Sequence, residues 1–306
     1  MNVLSLFDGM SCGQIALDRI GLPVTNYYAS EVDKYAIKVA KKNFPNTIHL
    51  GDVRDVKAKD LEPIDLLIGG SPCQGFSFAG RQLNFDDPRS KLFWEYVRLL
   101  KELKPKYFLL ENVRMKQESM DVITEALGVE PIEINSALVS AQNRKRLYWT
   151  NIPFDMPEDK GIVLNDILES QGVGVIKSHG KLLPRTDKSM CLDANYHKGV
   201  DNHGQRTMIH VGSAEELSHY KNDHIKRVYH TNGKSPTLIA VSGGHRETKI
   251  STDNLTWRKL TPIECERLQT VPDRYTEGVS NTQRYKMLGN GWTVDIISQI
   301  FEGLKQ

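Results

Sequence analysis

Through its first half the chain alternates short apolar runs with segments whose apolar residues recur every three or four positions. Val3–Phe7 reads as a strand, Cys12–Ile20 as a helix stopped by Gly21, Tyr27–Ser30 as a second strand, and Lys34–Asn43 as a helix ended near Pro45. Further strands are predicted around Ile48, over Ile64–Ile68 and over Tyr107–Leu110, with helices over Lys91–Leu103 and Gln117–Leu127. Elements repeating in this order predict an α/β fold with a mainly parallel sheet, whose ligands bind at the carboxyl ends of the strands.

The pattern breaks after Trp149–Pro153. From about Asp155 to Lys259 the chain is rich in Gly, His, Asn, Ser and Thr, with short apolar pieces such as Val173–Ile176 and Thr237–Val241 and no sustained helical period. It reads as a second, smaller, irregular β-containing domain. Periodicity returns at Thr261, which can cap a helix with Pro262 in its first position and Glu264 closing a capping box. A last helix, about Trp292–Phe301, is too short to stand alone and is expected to return to the first domain. The division predicted is therefore 1–155, 156–258 and 259–306.

Composition adds little to this picture and charge adds more. With 39% apolar and 25% charged residues the chain is ordinary for a soluble enzyme, and no stretch is long or apolar enough to span a bilayer. The start lacks the basic region and apolar stretch of a secretory signal, so a cytoplasmic protein with no membrane partner is expected. Cys12, Cys73, Cys191 and Cys265 are far apart and form no CxxC pair, which argues against a disulfide framework or a cysteine zinc site. Net charge is only +2, yet Arg144-Lys145-Arg146 is a compact basic cluster and the stretch from about Lys177 to Lys259 is basic and holds most of the histidines. Such a surface suits a phosphate backbone or simple solvation. Its histidines, among them His197, His203, His224 and His245, have no recurring metal-ligand spacing, and no metal is expected.

Candidate chemistry falls at the strand ends. Pro72-Cys73-Gln74 follows the apolar run ending in Gly69-Gly70 and can present a thiol over the sheet; taken alone, the pair fits a buried core cysteine equally well. Phe7-Asp8-Gly9-Met10-Ser11-Cys12-Gly13 joins the first strand to the first helix, where glycines and exposed N–H groups permit a close ligand. Glu31 follows the second strand and can accept from both ribose hydroxyls, while Asp52 and Val53 after the third strand suit an adenine amino group and ring face. Together they describe a nucleoside-containing cofactor, and the missing GxGxxG turn disfavours a dinucleotide. Glu111 ends a further strand on the same sheet edge as Cys73, where a buried carboxyl can donate to a ring nitrogen. Arg144 and Arg146 alternate on an extended segment and so point to one side. Cys, Glu and Arg around a flat ring suggest addition to an electron-poor pyrimidine.

On these residues the chain resembles the DNA cytosine-5 methyltransferases. It carries that family's Pro-Cys-Gln as Pro72-Cys73-Gln74, its Glu-Asn-Val as Glu111-Asn112-Val113, its Gln-x-Arg-x-Arg as Gln142 through Arg146, and late elements as Arg258-Lys259-Leu260-Thr261-Pro262 with Glu264, Arg267 and Gln269, then Gly289-Asn290-Gly291. Ser30-Glu31-Val32, Gly69-Gly70-Ser71-Pro72-Cys73 and Trp292 are similar to the animal de novo members. Two departures stand out: Asp8 where the family usually has a further glycine or small residue, and Trp292 where it has a small one.

The resemblance implies a Rossmann-like class I methyltransferase fold, S-adenosylmethionine as cofactor with S-adenosylhomocysteine as product, and double-stranded DNA as substrate. It implies Cys73 as the nucleophile on C6 of a flipped cytosine, Glu111 at N3, Arg146 at O2 and Arg144 bracing the pocket or its phosphate. Cofactor roles fall on Phe7, Gly9, Gly13, Glu31, Asp52, Val53, Pro72, Asn290, Trp292 and Val294, with Trp292 either stacked over the cofactor or packed in the core. Gly75–Lys91 is the expected closing loop, and the middle region the target-recognition domain. A monomer with a cognate restriction endonuclease sharing its target completes the expectation. Rival readings are a methyltransferase acting on transfer RNA, a catalytically silent DNA-binding subunit, and a thiol hydrolase, for which Cys73 has no nearby histidine in the core motifs.

Overall fold

The computed structural model describes residues 1–71, 91–170, 173–179, 181–184, 187–199, 203–211, 228–230, 249–251 and 256–306. Its strands are β1 (Asn2–Leu6), β2 (Asn26–Ser30), β3 (Ile48–Gly51), β4 (Leu66–Gly69), β5 (Tyr107–Asn112), β6 (Ile132–Asn135) and β7 (Lys145–Thr150), joined in one seven-stranded sheet of order β3-β2-β1-β4-β5-β7-β6. The first five strands run parallel, and β7 is antiparallel to both β5 and β6. The strand order reverses between β1 and β4, the place where an open α/β sheet leaves a crevice for a ligand.

Alternate residues of the central strands serve opposite layers. Val3, Leu66, Ile68 and Leu109 pack into one apolar cluster, whereas Leu4, Leu6, Leu67, Phe108 and Leu110 pack into another. Burial on both faces makes these strands continuous apolar runs. Helices α1 (Cys12–Arg19), α2 (Lys34–Asn43), α3 (Lys91–Leu103), α4 (Gln117–Leu127), α5 (Leu164–Ile167), α6 (Pro262–Leu268), α7 (Asn281–Asn290) and α8 (Val294–Phe301) complete the framework. Phe93, Tyr96 and Val97 of α3 cover the second cluster, and α1 lies against α8 over the first.

Capping follows the residues at each end. Asp33 accepts from the N–H groups of Tyr35 and Ala36 at the start of α2, and Thr261 and Glu264 form the reciprocal capping box of α6. The eight-residue α8 begins at Val294, two residues later than its apolar pattern predicts, because Thr293 is its N-cap and keeps extended backbone. Val294, Ile296, Ile297, Ile300 and Phe301 are fully buried. Each such side chain contributes about 2 kcal/mol, which holds a helix too short to persist alone.

The middle region contributes β8 (Val173–Ser178), β9 (Lys181–Pro184), β10 (His203–Val211) and β13 (Thr256–Lys259) to a four-stranded antiparallel sheet, and β11 (Val228–His230) and β12 (Lys249–Ser251) to a parallel pair. Leu192, Tyr196, Met208 and Ile209 share the apolar cluster of the large sheet. The apolar piece Thr237–Val241 lies outside the described residues. No helix among those described is long and apolar enough to cross a membrane.

Candidate active site

The loop from β1 to α1 is strained and fixed from several sides. Phe7 and Ser11 adopt left-handed backbone with φ of 57° and 65°, a conformation non-glycine residues keep only where neighbours enforce it, most often at ligand sites. Asp8 donates its N–H to the Ser30 carbonyl at 3.1 Å, and its carboxyl accepts from Tyr27 Oη at 2.8 Å and from the Ser11 hydroxyl. Burial lifts the Asp8 carboxyl to about 6 against the pull of the hydroxyls around it. Glu31 clasps this loop to the end of β2: Gly9 N–H donates to Oε2 at 2.8 Å, and the N–H groups of Val32 and Asp33 donate to Oε1 at 2.7 and 2.8 Å. Oε1 thus has both lone pairs engaged, whereas Oε2 keeps one for a ligand.

The ends of β4 and β5 meet at Glu111. Its Oε1 lies 3.1 Å from Arg146 Nε, and its Oε2 accepts from Trp292 Nε1 at 3.1 Å. Next along β5, Asn112 donates to the hydroxyl of Ser71 at 3.2 Å. Ser71 leads directly to Pro72 and Cys73, which lie outside the described residues, as does the expected closing loop up to residue 90. A Cβ on Gly70 would stand 3.2 Å from Glu111 Oε2 and 3.0 Å from Trp292 Nε1, so the chain ahead of Cys73 runs against this pair.

Arg144 and Arg146 diverge in role. Arg144, assigned to the catalytic set from sequence, is 3% exposed and donates to the carbonyls of Leu192 (3.0 Å), Gly289 (3.2 Å) and Gly291 (2.9 Å). Its two terminal nitrogens serve three carbonyls while Nε is left without a partner, so it braces the segment after α7, whereas Arg146 reaches Glu111. Both guanidiniums also donate to Cys191 Sγ, at 3.4 and 3.7 Å. Burial pushes the Cys191 thiol up, and the two adjacent cations together bring it below the ordinary thiol range. Gln142 ties the same parts together, accepting from Leu192 N–H at 2.7 Å and donating to the Leu268 carbonyl at 3.1 Å.

These groups enclose a cavity of about 350 Å³. Of the residues assigned from sequence, Phe7, Gly9, Glu31, Glu111, Arg144, Arg146, Asn290 and Trp292 line it. Gly13, Asp52, Val53 and Val294 do not. A Cβ on Gly13 would meet Ile68 Cδ1 at 2.3 Å, so that glycine serves close helix-to-sheet packing. Asp52 stands past β3 with its carboxylate held by Arg54, which draws it down to about 2, and Val53 is buried in the second apolar cluster. Val294 is core, its N–H spent on the Gln269 carbonyl at 2.9 Å.

Asp8, Cys12, Asp33 and Lys286 line the cavity without having been assigned to it. Asp8 was legible only as a departure from the family, and the Asp33–Lys286 pair, 2.8 Å apart across 253 residues, left no local signal. Carboxylates of Asp8, Glu31 and Asp33 beside the aromatic faces of Phe7 and Trp292 fit a ligand that carries positive charge, ribose hydroxyls and a flat ring. S-adenosylmethionine has all three. Among the described residues, no group of three or more His, Cys, Asp or Glu is placed for a metal ion and no histidine lines the cavity.

Comparison with known proteins agrees with this geometry. The family model for C-5 cytosine-specific DNA methylase matches residues 1–306. The type II methyltransferase M1.ScrFI of Lactococcus lactis subsp. cremoris is 33% identical over 301 residues, covering 91% of this chain and 72% of that one. The orphan methyltransferase M.SPRI of Bacillus phage SPR is 27% identical over 99% of this chain and 97% of its own. Among solved structures, the Entamoeba histolytica methyltransferase EhMeth superposes with a TM-score of 0.71 at 18% identity, covering 100% of this chain and 99% of that one. At that identity the likeness is one of fold.

Proposed function

The chain belongs to the C-5 cytosine-specific DNA methylase family and is a DNA cytosine-5 methyltransferase that uses S-adenosylmethionine, and we propose how its own residues divide the reaction. The observation that carries the assignment is Glu111, fixed between Arg146 and Trp292 at the cavity mouth, beside the strand end that leads into Cys73.

Cys73 as thiolate adds to C6 of a cytosine rotated out of the duplex. Glu111 hydrogen-bonds or protonates N3, which carries the electron density that the addition releases, and Arg146 holds both Glu111 and the O2 side of the ring. S-adenosylmethionine supplies the methyl group that the activated C5 takes up. Loss of the C5 proton and departure of the Cys73 sulfur then restore the ring as 5-methylcytosine. Phe7, Gly9, Glu31 and Asp8 hold the cofactor, with Glu31 on the ribose and Asp8 offering negative charge to the cationic end. Asn290 and Trp292 wall the pocket, and Arg144 keeps their segment in place.

The region 156–258, whose described part includes an antiparallel sheet and whose sequence is basic, is the part we assign to base reading in the major groove. A restriction endonuclease acting on the same target is the further partner expected, in keeping with the type II name of the Lactococcus relative. The residue assignment is tested by Cys73→Ala in the purified full-length protein. Cofactor affinity is expected to stay within about threefold while methyl transfer is lost, since a group forming the covalent bond has no substitute. Turnover retained by this variant overturns the assignment.

A further inference from the structure

Trp292 is an expensive residue to accommodate. Its indole lies against Gly70, where a Cβ would approach Nε1 at 3.0 Å, while one on Gly13 would meet Cζ3 at an ordinary 3.6 Å. The backbone that carries it is bonded on both sides. Arg144 and Gln269 donate to the Gly291 carbonyl at 2.9 and 3.4 Å, Thr293 Oγ1 donates to Gln269 Oε1 at 2.9 Å, and Ser136 Oγ donates to Thr293 Oγ1 at 2.8 Å. These bonds hold the residues on either side of the indole. Its one donor points away from the aromatic ring's apolar neighbours and lands on Glu111 Oε2.

A glutamate near a strand end has three side-chain torsions and can swing. Here Arg146 holds one oxygen and Trp292 the other, at 3.1 Å each. An ion pair on one oxygen and a hydrogen bond on the other restrain the plane of the group and leave lone pairs on both oxygens for a substrate ring. Arg146 alone would allow rotation about its single contact.

We propose that Trp292 is a positioning residue for Glu111, its indole N–H orienting the carboxyl toward the flipped cytosine, rather than merely an aromatic cover for the cofactor. The inference rests on the role of Glu111 stated above. It also links the two halves of the site, since the ring that walls the cofactor cavity is the one that aims the group acting on the base.

The test is a double-mutant cycle of Trp292→Phe and Glu111→Gln in the full-length enzyme, with single-turnover methyl transfer and cofactor affinity measured separately. Trp292→Phe keeps the ring and removes the donor. Its transfer rate is expected to fall between about tenfold and a hundredfold, the range commanded by a hydrogen bond to a charged group, with cofactor affinity changed less than about threefold. In the Glu111→Gln background the same change is expected to cost less than about twofold. Trp292→His, whose Nε2 overlays the indole nitrogen, restores the donor and is expected to recover most of the rate. It carries the test by itself if the Phe variant does not fold, because a His variant that folds and binds cofactor yet transfers as slowly as Glu111→Gln contradicts the proposal. A Phe variant with the wild-type rate, a loss confined to cofactor affinity, or an equal loss in both backgrounds also overturns it. Full activity in Glu111→Gln alone would instead remove Glu111 from the reaction, a separate failure.

Discussion

Arg144 and Gly291, 147 residues apart, are joined by a 2.9 Å hydrogen bond from guanidinium to carbonyl. The cation is buried among carbonyls, where a planar fork serves three acceptors that an ammonium cannot reach together. Arg144→Lys keeps the charge and loses the fork. Its unfolding free energy in denaturant titration is expected to be lower by about 2–3 kcal/mol, the cost of buried acceptors left unpaired, with weaker cofactor binding as that segment loosens. A Lys variant matching wild type in both would contradict the bracing role.

Gly289 touches the 193–194 backbone so closely that a Cβ there would stand 2.3 Å from the Asp193 carbonyl carbon and 2.4 Å from Ala194 N. Backbone on both sides leaves no flexible atom to yield. Gly289→Ala is expected to destabilise by about 3 kcal/mol and to disturb residues 187–199 in hydrogen exchange, whereas a change confined to α7 would show that the contact is not shared.

Asp8 makes stability depend on pH in a direction opposite to most carboxylates. Its carboxyl titrates at about 6 in the folded chain and at the ordinary 3.8 when unfolded, so the native state holds the proton more tightly. That contribution is fully present below about 4 and is lost as pH rises through about 6. In cofactor-free protein, wild type is expected to lose about 2 kcal/mol relative to Asp8→Asn between pH 4 and pH 7.5. A difference that stays constant over that window removes Asp8 as the source.

The three described cysteines differ sharply in expected reactivity. Burial pushes Cys12 up to about 12 and Cys265 well above its ordinary range, while Arg144 and Arg146 hold Cys191 down. Brief iodoacetamide treatment of the native enzyme followed by peptide mapping is expected to mark Cys191 ahead of Cys12 and Cys265. The reverse order would contradict this ranking, which the partial exposure of Cys191 also favours.

Much of the large sheet was legible because strands buried on both faces read as apolar runs: β1, β2, β4 and β5, with α2, α3 and α4, appear where the pattern places them. Helix α7 was not, since its sequence NTQRYKMLGN has a weak apolar stripe and is held by Tyr285, Met287, Leu288 and the close contact at Gly289. The β6–β7 hairpin was also missed, its arginine motif reading as extended but giving no pairing partner. Among the residues lining the cavity, Glu111 and Glu31 were legible from their place at strand ends and Arg146 from its alternation with Arg144 on an extended segment. Val294 was not, because a single N-cap residue, Thr293, decides that it faces the core. The Trp292–Glu111 bond spans 181 residues, and only tertiary packing brings those two side chains together.

Cytosine-5 methyl transfer to DNA is tested most directly by mapping 5-methylcytosine at base resolution on a random-sequence duplex library treated with purified enzyme and S-adenosylmethionine, with transfer RNA treated in parallel. Methylated cytosine in one fixed duplex sequence, with none on RNA, is the expected result. An unmodified library beside a methylated transfer RNA would contradict it.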